Sequence, residues 1–201
     1  MSFGSRNLVL VHGLWDHPRV FSRLLACLQR DDVNIFTPNL SHQFGRTSLN
    51  KLSYELDRLI INHYGCDVPI NLLGFSMGGL ISRIWLQKRG GAIRTSRFVS
   101  VGSPHRGTYT AQLVPSWLLR GVAEMKCGSY LIEDLNGSIN VLHEVQCCSY
   151  FCKWDLMVFP GWHAILPVGP HYSLPVLTHK ELITNPLSLK VLAKAMLDDS
   201  L

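Results

Sequence analysis

The sequence contains no apolar run that approaches the length of a membrane span, which needs about 20 consecutive residues. It also lacks the charged segment followed by an apolar segment that marks a secretory signal peptide, because residues 1–7 run directly into a strand-like stretch. Charged residues are scarce, at 16%, while hydrophobic residues reach 47%, and this balance excludes a disordered chain. We therefore expect a globular, cytoplasmic protein.

Motifs for binding metals and nucleic acids are missing as well. The six cysteines never occur in Cys-x-x-Cys spacing and no matching histidine pairs accompany them, so we expect reduced thiols and no metal site. The net charge is +5, but the 19 Lys and Arg residues are scattered and no nucleic-acid motif accompanies them. A basic solvated surface is the default expectation. Peripheral contact with anionic membrane lipid is the second option, and no nucleic-acid partner is expected.

Apolar runs alternate with helical periodicity along the 201 residues, a length that suits one domain spanning 1–201. The run at 7–11 is continuously apolar, which is typical of a strand buried on both faces of a parallel sheet. The clearest amphipathic helix covers 49–63, where Thr47 or Ser48 can cap the start and Gly65 the end. The pattern predicts an α/β fold with a mostly parallel sheet flanked by helices. Its strands are expected at 7–11, 34–38, 69–73, 98–102, 145–152 and 173–178.

The stretch Gly74-Phe75-Ser76-Met77-Gly78 follows the third predicted strand and precedes a helical pattern. Gly-x-Ser-x-Gly in this position is the arrangement of a nucleophile elbow, in which a tight strand-to-helix turn exposes the serine hydroxyl. The crowded backbone of such a turn requires that Gly74 and Gly78 lack a Cβ. The alternative is an ordinary glycine-rich turn. Ser76 is therefore the candidate nucleophile.

The first predicted strand ends in His12-Gly13-Leu14-Trp15. Gly13 allows the backbone to fold close to the candidate nucleophile. The N–H groups of Leu14 and Met77 can then meet at a developing oxyanion and form an oxyanion hole. The alternative is an ordinary turn between a strand and a helix.

Two histidines compete for the role of general base. His179 follows the last predicted strand, and the active sites of parallel α/β sheets lie at the carboxyl ends of their strands. His171 follows the Gly-Pro pair at 169–170 and is predicted to lie in the middle of a loop. We therefore favour His179.

The acid that orients the base is expected to be Asp155, three residues after the fifth predicted strand. Glu133 and Asp134 fall inside a predicted helix and are less suitable. Ser76, Asp155 and His179 then occur in the chain order Ser, Asp, His, which is the order of the α/β-hydrolase triad. In this scheme the carboxylate orients the imidazole that takes the serine proton.

Between 105 and 137 the pattern loosens, and this segment is a candidate for a short lid-like insertion over the active site. Val114, Trp117 and Leu118 could face an apolar cleft from such a lid. The alternative is a plain connecting helix packed on the core. Leu131, Ile132 and Leu135 predict one short helix that ends at 136–137.

Taken together, these residues resemble those of small bacterial lipases and esterases of the α/β-hydrolase superfamily. The resemblance spans nearly the whole chain. Its motifs are Val-His-Gly at 11–13, Gly-Phe-Ser-Met-Gly-Gly at 74–79, Ser-Pro-His-Arg-Gly-Thr at 103–108, Gly-Ser-Tyr-Leu at 128–131, Asp-Leu-Asn at 134–136, Asp155, and His179 followed by Leu182. The surroundings of the acid depart from the family, since many relatives have Asp-Gly or Asp-Asp where this chain has Asp155-Leu156.

The resemblance implies a compact α/β-hydrolase core that hydrolyses carboxylic esters without a cofactor. We expect the substrate pocket to be bordered by His12, Gly13, Trp15, Phe75, His105 and Trp117. The favoured function is a lipase or esterase that cleaves esters of apolar acyl groups through an acyl-enzyme intermediate. A thioesterase or phospholipase would use the same triad. A hydrolase fold that only binds its ligand is the alternative from another class.

Overall fold

The structure, a computed structural model, describes residues 6–198. These residues form one six-stranded sheet in which every strand pair is parallel, in the order β2-β1-β3-β4-β5-β6. The strands are β1 (Arg6–Val11), β2 (Val33–Phe36), β3 (Ile70–Phe75), β4 (Thr95–Val101), β5 (Gln146–Phe151) and β6 (His171–Ser173). The α-helices are α1 (Ser22–Leu28), α2 (Leu49–Tyr64), α3 (Met77–Lys88), α4 (Tyr109–Gln112), α5 (Arg120–Ala123), α6 (Tyr130–Gly137) and α7 (Pro186–Leu197). Short 3₁₀ turns cover Pro18–Phe21, Gln43–Gly45, Gly91–Arg94, Ile139–Glu144, Gly161–Ala164 and Lys180–Ile183.

The sheet is covered on both faces, which confirms the prediction from the continuous apolar run of β1. Leu8 and Leu10 pack into one core cluster with α1 and α7, whereas Val9 and Val11 pack into the other with α2 and α3. All four side chains are fully buried. Because successive residues of a strand point to opposite faces, a strand between two helical layers must be apolar at every position.

The topology creates a crevice between β1 and β3. The chain leaves β1 toward β2 on one side and returns to β3 on the other, so the strand order reverses at this point. Val11 at the end of β1 is the register partner of Gly74 near the end of β3. In parallel α/β sheets a ligand site forms at the carboxyl ends of the strands where this reversal occurs.

Helix α2 begins and ends as its sequence predicts. The Ser48 side chain accepts a hydrogen bond from Lys51 N, so Ser48 rather than Thr47 is the N-cap, and Gly65 follows the last turn with φ of 83°. Trp85 Nε1 of α3 donates to Asp57 Oδ1 of α2 at 2.8 Å. This bond ties together the two helices on the same face of the sheet.

The last strand is not where the sequence predicts it. Strand β6 covers His171–Ser173, whereas the prediction covered 173–178 and placed His171 in a loop. Pro175 has no N–H to donate and interrupts the pairing after Leu174, whose N–H reaches Phe151 O at 2.8 Å. His179 therefore lies at the start of the 3₁₀ turn Lys180–Ile183, beyond a loop, and not at the end of a strand.

Most of the 105–137 segment packs on the core. Ala111, Val122, Ile132 and Leu135 are buried in the same cluster as α2 and α3, and Glu124 Oε2 accepts a hydrogen bond from Leu49 N at 2.6 Å. The stretch between α4 and α5 differs, since it carries strongly exposed Leu113 and Trp117 and half-exposed Leu118. Within residues 6–198, no helix has both the length and the apolar character that crossing a membrane requires.

Candidate active site

Ser76 occupies the turn between β3 and α3 and has the backbone of a nucleophile elbow. Its φ of 54° and ψ of −128° lie outside the regions that non-glycine residues normally adopt. Ser76 N donates to Val101 O of β4 at 2.9 Å, and Gly79 N donates to Ser76 O at 3.0 Å. Backbone strain of this kind persists only where the surrounding contacts enforce it, and it is common at active sites.

The glycines beside Ser76 are required by the closeness of the backbone. A β-carbon on Gly74 would lie 2.5 Å from Gly79 Cα, and one on Gly78 would lie 2.2 Å from Val11 O. Neither neighbour can move, because both are backbone atoms. The start of α3 therefore excludes a β-carbon at Gly74, and the end of β1 excludes one at Gly78, as the sequence predicts.

His179 pairs with the buried carboxylate of Asp155. His179 Nδ1 lies 2.6 Å from Asp155 Oδ2, and the carboxylate is only 1% exposed. Asp155 Oδ1 accepts hydrogen bonds from Met157 N at 2.8 Å and Val158 N at 2.9 Å. These contacts hold the carboxylate in place, so that Nδ1–H of the imidazole donates to it and Nε2 is left as the proton acceptor. Nε2 is buried and has no hydrogen-bond partner among residues 6–198.

The imidazole of His179 lies over the carboxyl ends of the two central strands. Its ring is 4.8 Å from the ring of Phe75, the residue immediately before Ser76. A β-carbon on Gly102, which follows β4, would lie 3.0 Å from His179 Cε1. The pair of His179 and Asp155 therefore stands beside the serine elbow, although 103 positions separate Ser76 from His179 in the sequence.

The loop after β1 touches the candidate nucleophile Ser76. A β-carbon on Gly13 would lie 2.8 Å from Ser76 Cβ and 3.3 Å from Ser76 Oγ, so only glycine leaves the hydroxyl accessible. Met77 is the first residue of α3, and the N–H of a first helical residue has no partner within its helix. Neither the Leu14 nor the Met77 N–H donates to a backbone carbonyl within the described residues. This is the state that the predicted oxyanion hole requires of them.

The buried His12 side chain stabilises this loop by contacts with the backbone of Gly13 and Leu40. It is fully buried, its Nδ1 lies 3.0 Å from Gly13 O, and its Nε2 accepts a hydrogen bond from Leu40 N at 3.1 Å. Burial lowers the pKa of His12, which keeps the ring neutral in the tautomer that these two bonds require. The sequence predicted that His12 borders the substrate pocket. The structure instead places it under the loop that Gly13 and Leu14 form.

A cleft of about 390 Å³ opens beside His179. Its lining brings together Trp15, Phe75 and His179, as the sequence predicts. Several further residues of the cleft were missed, although they adjoin Asp155, His179 or the His-Gly loop in the sequence, which is the signal that could have identified them. The complete lining is Leu14, Trp15, Asp16, Phe75, Trp154, Leu156, Met157, Leu177, Thr178, His179 and Lys180.

Four residues predicted for the pocket lie outside this lining, namely His12, Gly13, His105 and Trp117. His105 is fully buried, and its Nε2 pairs with Ser100 Oγ at 2.6 Å. Burial, with a smaller contribution from the Arg83 charge, holds the pKa of His105 well below its usual range. Trp117 lies in the exposed stretch between α4 and α5 and is 85% exposed. His171, the competitor for the role of base, is exposed at the start of β6.

The model of the alpha/beta hydrolase family matches residues 8–179 of this sequence. The chain belongs to the alpha/beta hydrolase family. The matched range includes Ser76, Asp155 and His179, as well as the loop after β1. The α/β fold class and the family predicted from the sequence are thereby confirmed.

Solved structures similar to this alpha/beta hydrolase include lipases and a thioesterase. The mature lipase BlEst2 of Bacillus licheniformis is 15% identical with a TM-score of 0.76, over 94% of this chain and 91% of that one. Lipase B of Aspergillus fumigatus is 20% identical with a TM-score of 0.79, over 97% of this chain and 54% of that one. The RedJ thioesterase of Streptomyces coelicolor is 16% identical with a TM-score of 0.62, over 96% and 91%. A search of curated protein sequences finds no match.

No cysteine belongs to the lining of the cleft, and the described part of this alpha/beta hydrolase contains no cluster of metal ligands. Among residues 6–198, no three His, Cys, Asp or Glu side chains cluster in a way that could hold a metal ion. All six cysteines are free thiols. The cleft lining includes the His179 imidazole and the Asp16 carboxylate. Asp155 contacts that imidazole, and the Ser76 hydroxyl adjoins the loop at Gly13.

Proposed function

We propose that this alpha/beta hydrolase cleaves carboxylic esters of apolar acyl groups through an acyl-enzyme intermediate on Ser76. The observation that carries the proposal is the hydrogen bond between the partly buried His179 and the buried Asp155 beside a strained serine elbow. A protein that only binds ligands has no need of an oriented imidazole with its Nε2 left unpaired next to such a serine. The scheme uses no cofactor.

In the proposed reaction, Ser76 Oγ attacks the ester carbonyl while His179 Nε2 takes the hydroxyl proton. Asp155 holds the imidazole in the required tautomer and stabilises the imidazolium that forms. The oxyanion is bound by the N–H groups of Leu14 and Met77, and one such donor accounts for about 10²- to 10³-fold in kcat. His179 then protonates the leaving alcohol, and a water molecule activated by the same imidazole hydrolyses the acyl-enzyme.

The lining of the cleft favours an apolar acyl group. Phe75, Leu14 and Leu177 contribute hydrocarbon surface, and Trp154 and Leu156 extend this surface at the cleft. The lipases among the similar structures support an oxygen ester as substrate, whereas the RedJ thioesterase supports the thioester variant. The same Ser76, His179 and Asp155 would serve a lipase, an esterase, a phospholipase or a thioesterase.

The test compares the wild type with Ser76→Ala on p-nitrophenyl esters from acetyl to palmitoyl. We expect the wild type to hydrolyse them and Ser76→Ala to lose at least about a thousandfold in kcat/KM while keeping its unfolding midpoint. A fluorophosphonate should label the wild type on Ser76 only. A folded wild type that neither hydrolyses any ester or thioester nor reacts with the fluorophosphonate would refute the proposal.

We further propose that the cleft mouth contacts anionic lipid surfaces. Four large apolar side chains of the cleft lining are strongly exposed and define an apolar rim, namely Trp15 at 58%, Trp154 at 73%, Leu156 at 76% and Leu177 at 69%. Lys153 and Lys180 are exposed neighbours of this rim. An apolar surface with tryptophans and adjoining lysines suits the boundary between headgroups and acyl chains of an anionic bilayer.

Vesicle co-sedimentation tests this contact. We expect the wild type to pellet with phosphatidylserine-containing vesicles at low salt and to pellet less as salt is raised. Leu156→Ser should weaken pelleting, whereas Ile93→Ser should not, because Ile93 is equally apolar and 94% exposed but lies before β4, at the opposite end of the sheet. Absence of pelleting at low salt, or equal effects of the two variants, would end the proposal.

A further inference from the structure

A second carboxylate stands near the nucleophile, and the proposed reaction does not use it. The position that a β-carbon on Gly13 would occupy lies 3.0 Å from Asp16 Oδ2 and 3.3 Å from Ser76 Oγ. Asp16 therefore reaches back over the loop after β1 to the side of Ser76, and it belongs to the lining of the cleft. Any ester bound at Ser76 has this carboxylate within reach.

The Asp16 carboxylate is unpaired in the part of the chain that the structure describes. Among residues 6–198, no side chain or backbone N–H donates a hydrogen bond to it and no cation approaches within ion-pair distance. Asp16 is only partly exposed, and burial raises the pKa of its carboxyl group. A half-buried acid without a compensating partner is unfavourable for folding, and such groups are frequent at functional sites.

Three cationic or titratable side chains face Asp16 from the elements around it. His179 and Lys180 come from the 3₁₀ turn region, and His42 comes from the loop after β2, where its Nε2 lies 3.3 Å from Asp16 O. Their charges act to lower the pKa of Asp16, but burial outweighs them. Lys180 is exposed, so solvent screens its charge more effectively than the charge of half-buried Asp16.

Aromatic side chains share the cleft with Asp16. Trp15, Phe75 and Trp154 belong to the same lining. Aromatic faces attract cations through their ring quadrupole, and a carboxylate adds direct charge attraction. This combination recognises primary and quaternary ammonium groups.

We propose that Asp16 and the aromatic lining form a subsite for an ammonium group carried by the ester substrate. The subsite lies beside Ser76, so it selects esters whose positive group is only a few bonds from the scissile carbonyl. The same carboxylate repels substrates with an anionic group at that position. This inference deepens the proposed function and rests on it for the identity of the reacting bond.

Matched ester pairs test the subsite in the active enzyme. The first pair is a choline ester and its neutral carbon isostere, in which a tert-butyl group replaces the trimethylammonium group. The second pair carries the same two groups on the acyl half. For at least one pair, we expect Asp16→Asn to lower the ratio of kcat/KM for the charged over the neutral ester by about tenfold, as one partly screened charge pair predicts.

The control is Asp67→Asn, which removes the same charge from an exposed residue before β3, at the opposite end of the sheet. In Asp67→Asn, the ratio of kcat/KM for the charged over the neutral ester should equal that of the wild type. A loss of equal size on the charged and the neutral esters in Asp16→Asn would reveal a merely structural role and overturn the subsite. The preference for the charged ester should also decline as the pH falls through the raised pKa of Asp16.

A binding measurement separates failure of the subsite from failure of the proposed reaction. Calorimetric titration of Ser76→Ala with the two members of each pair needs no turnover. We expect Ser76→Ala to prefer a charged member, and Ser76→Ala combined with Asp16→Asn to lose about tenfold of that preference. If hydrolysis fails but this preference appears, the subsite stands and the reaction must be revised. If neither pair shows a preference that depends on Asp16, the subsite is refuted whatever the activity.

Discussion

Substituting Gly102 with alanine should displace His179, the proposed catalytic base, while every proposed catalytic residue keeps its identity. Gly102 has φ of 57°, and a β-carbon there would lie 2.7 Å from Leu182 Cδ1, 3.0 Å from His179 Cε1 and 3.3 Å from His179 Nδ1. Ordinary van der Waals contact begins near 3.4 Å, so Leu182 and the imidazole must retreat by several tenths of an ångström. Asp155 resists this movement, because two backbone N–H groups hold it.

Gly102→Ala should affect both the stability of the fold and the rate of hydrolysis. Alanine in the left-handed region costs about 1 to 2 kcal/mol of stability. A misplacement of about 1 Å at a reacting group lowers the rate about a hundredfold. For the smaller displacement of His179 we expect Gly102→Ala to lose between about tenfold and a hundredfold in kcat.

Gly128→Ala is the matched control. Gly128 has φ of 70°, also in the left-handed region, but a β-carbon there meets no atom within 4 Å. Both variants should lose the stability that alanine in the left-handed region costs, and Gly102→Ala should lose more in urea unfolding because it also presses on buried Leu182. Only Gly102→Ala should lose ester hydrolysis and fluorophosphonate labelling rate. Full activity of Gly102→Ala, or an equal loss in Gly128→Ala, would refute the reasoning.

Three further outcomes are expected. His179→Ala should abolish hydrolysis whereas His171→Ala should not, and an active His179→Ala protein would overturn the assignment of the base. Asp155→Asn should lower kcat by about 10³- to 10⁴-fold at unchanged stability. The backbone N–H groups of Met157 and Val158 should bind the amide oxygen and turn the NH₂ group toward the imidazole, which selects the wrong tautomer of His179. Steady-state kinetics with p-nitrophenyl butyrate measures the loss, and an undiminished kcat would contradict it. Burial lowers the pKa of His105 in the folded state below its unfolded value near 6.5. The stability that neutral His105 contributes is therefore complete above about pH 6.5. It is lost as the pH falls below that value, at up to about 1.4 kcal/mol per pH unit. Between about pH 7 and pH 5, the unfolding temperature of His105→Gln should change less with pH than that of the wild type. Equal changes in the two proteins would contradict this prediction.

The strand pattern and the elbow could be read from the sequence because their causes are local. A strand buried on both faces must be apolar at every position, and β1 shows this in four consecutive residues, from Leu8 to Val11. The requirement for Gly74 and Gly78 likewise arises from the immediate crowding of a strand-to-helix turn. Such constraints leave a signature within a few residues of the site.

The prediction of His179 used an incorrect argument. It assumed that His179 ends a strand and that His171 lies in a loop, whereas His171 begins β6 and His179 follows a loop. The periodicity of 173–178 resembles a strand, but Pro175 interrupts the pairing there. What distinguishes the two histidines is the hydrogen bond of His179 to Asp155, a contact across 24 positions that no local pattern encodes.

The lining of the cleft was the least predictable part. His12 and His105 belong to sequence motifs that were predicted to border the substrate pocket, yet both side chains are buried in the core. There His12 contacts Leu40 N and His105 contacts Ser100 Oγ. A motif records which backbone approaches the site, but not the direction of each side chain. That direction depends on which buried polar groups need a partner.

The sequence alone determined the α/β layering, the serine elbow and the glycines around it, since these depend on side-chain periodicity and on backbone crowding between near neighbours. Only the tertiary structure decided which imidazole meets Asp155 and that Asp16 lies unpaired beside Ser76. The loops that carry these groups leave different strands, and their relative positions follow from the order and register of the whole sheet. The candidate nucleophile is therefore visible in five consecutive residues, whereas its proposed partners are positioned by contacts between segments far apart in the chain.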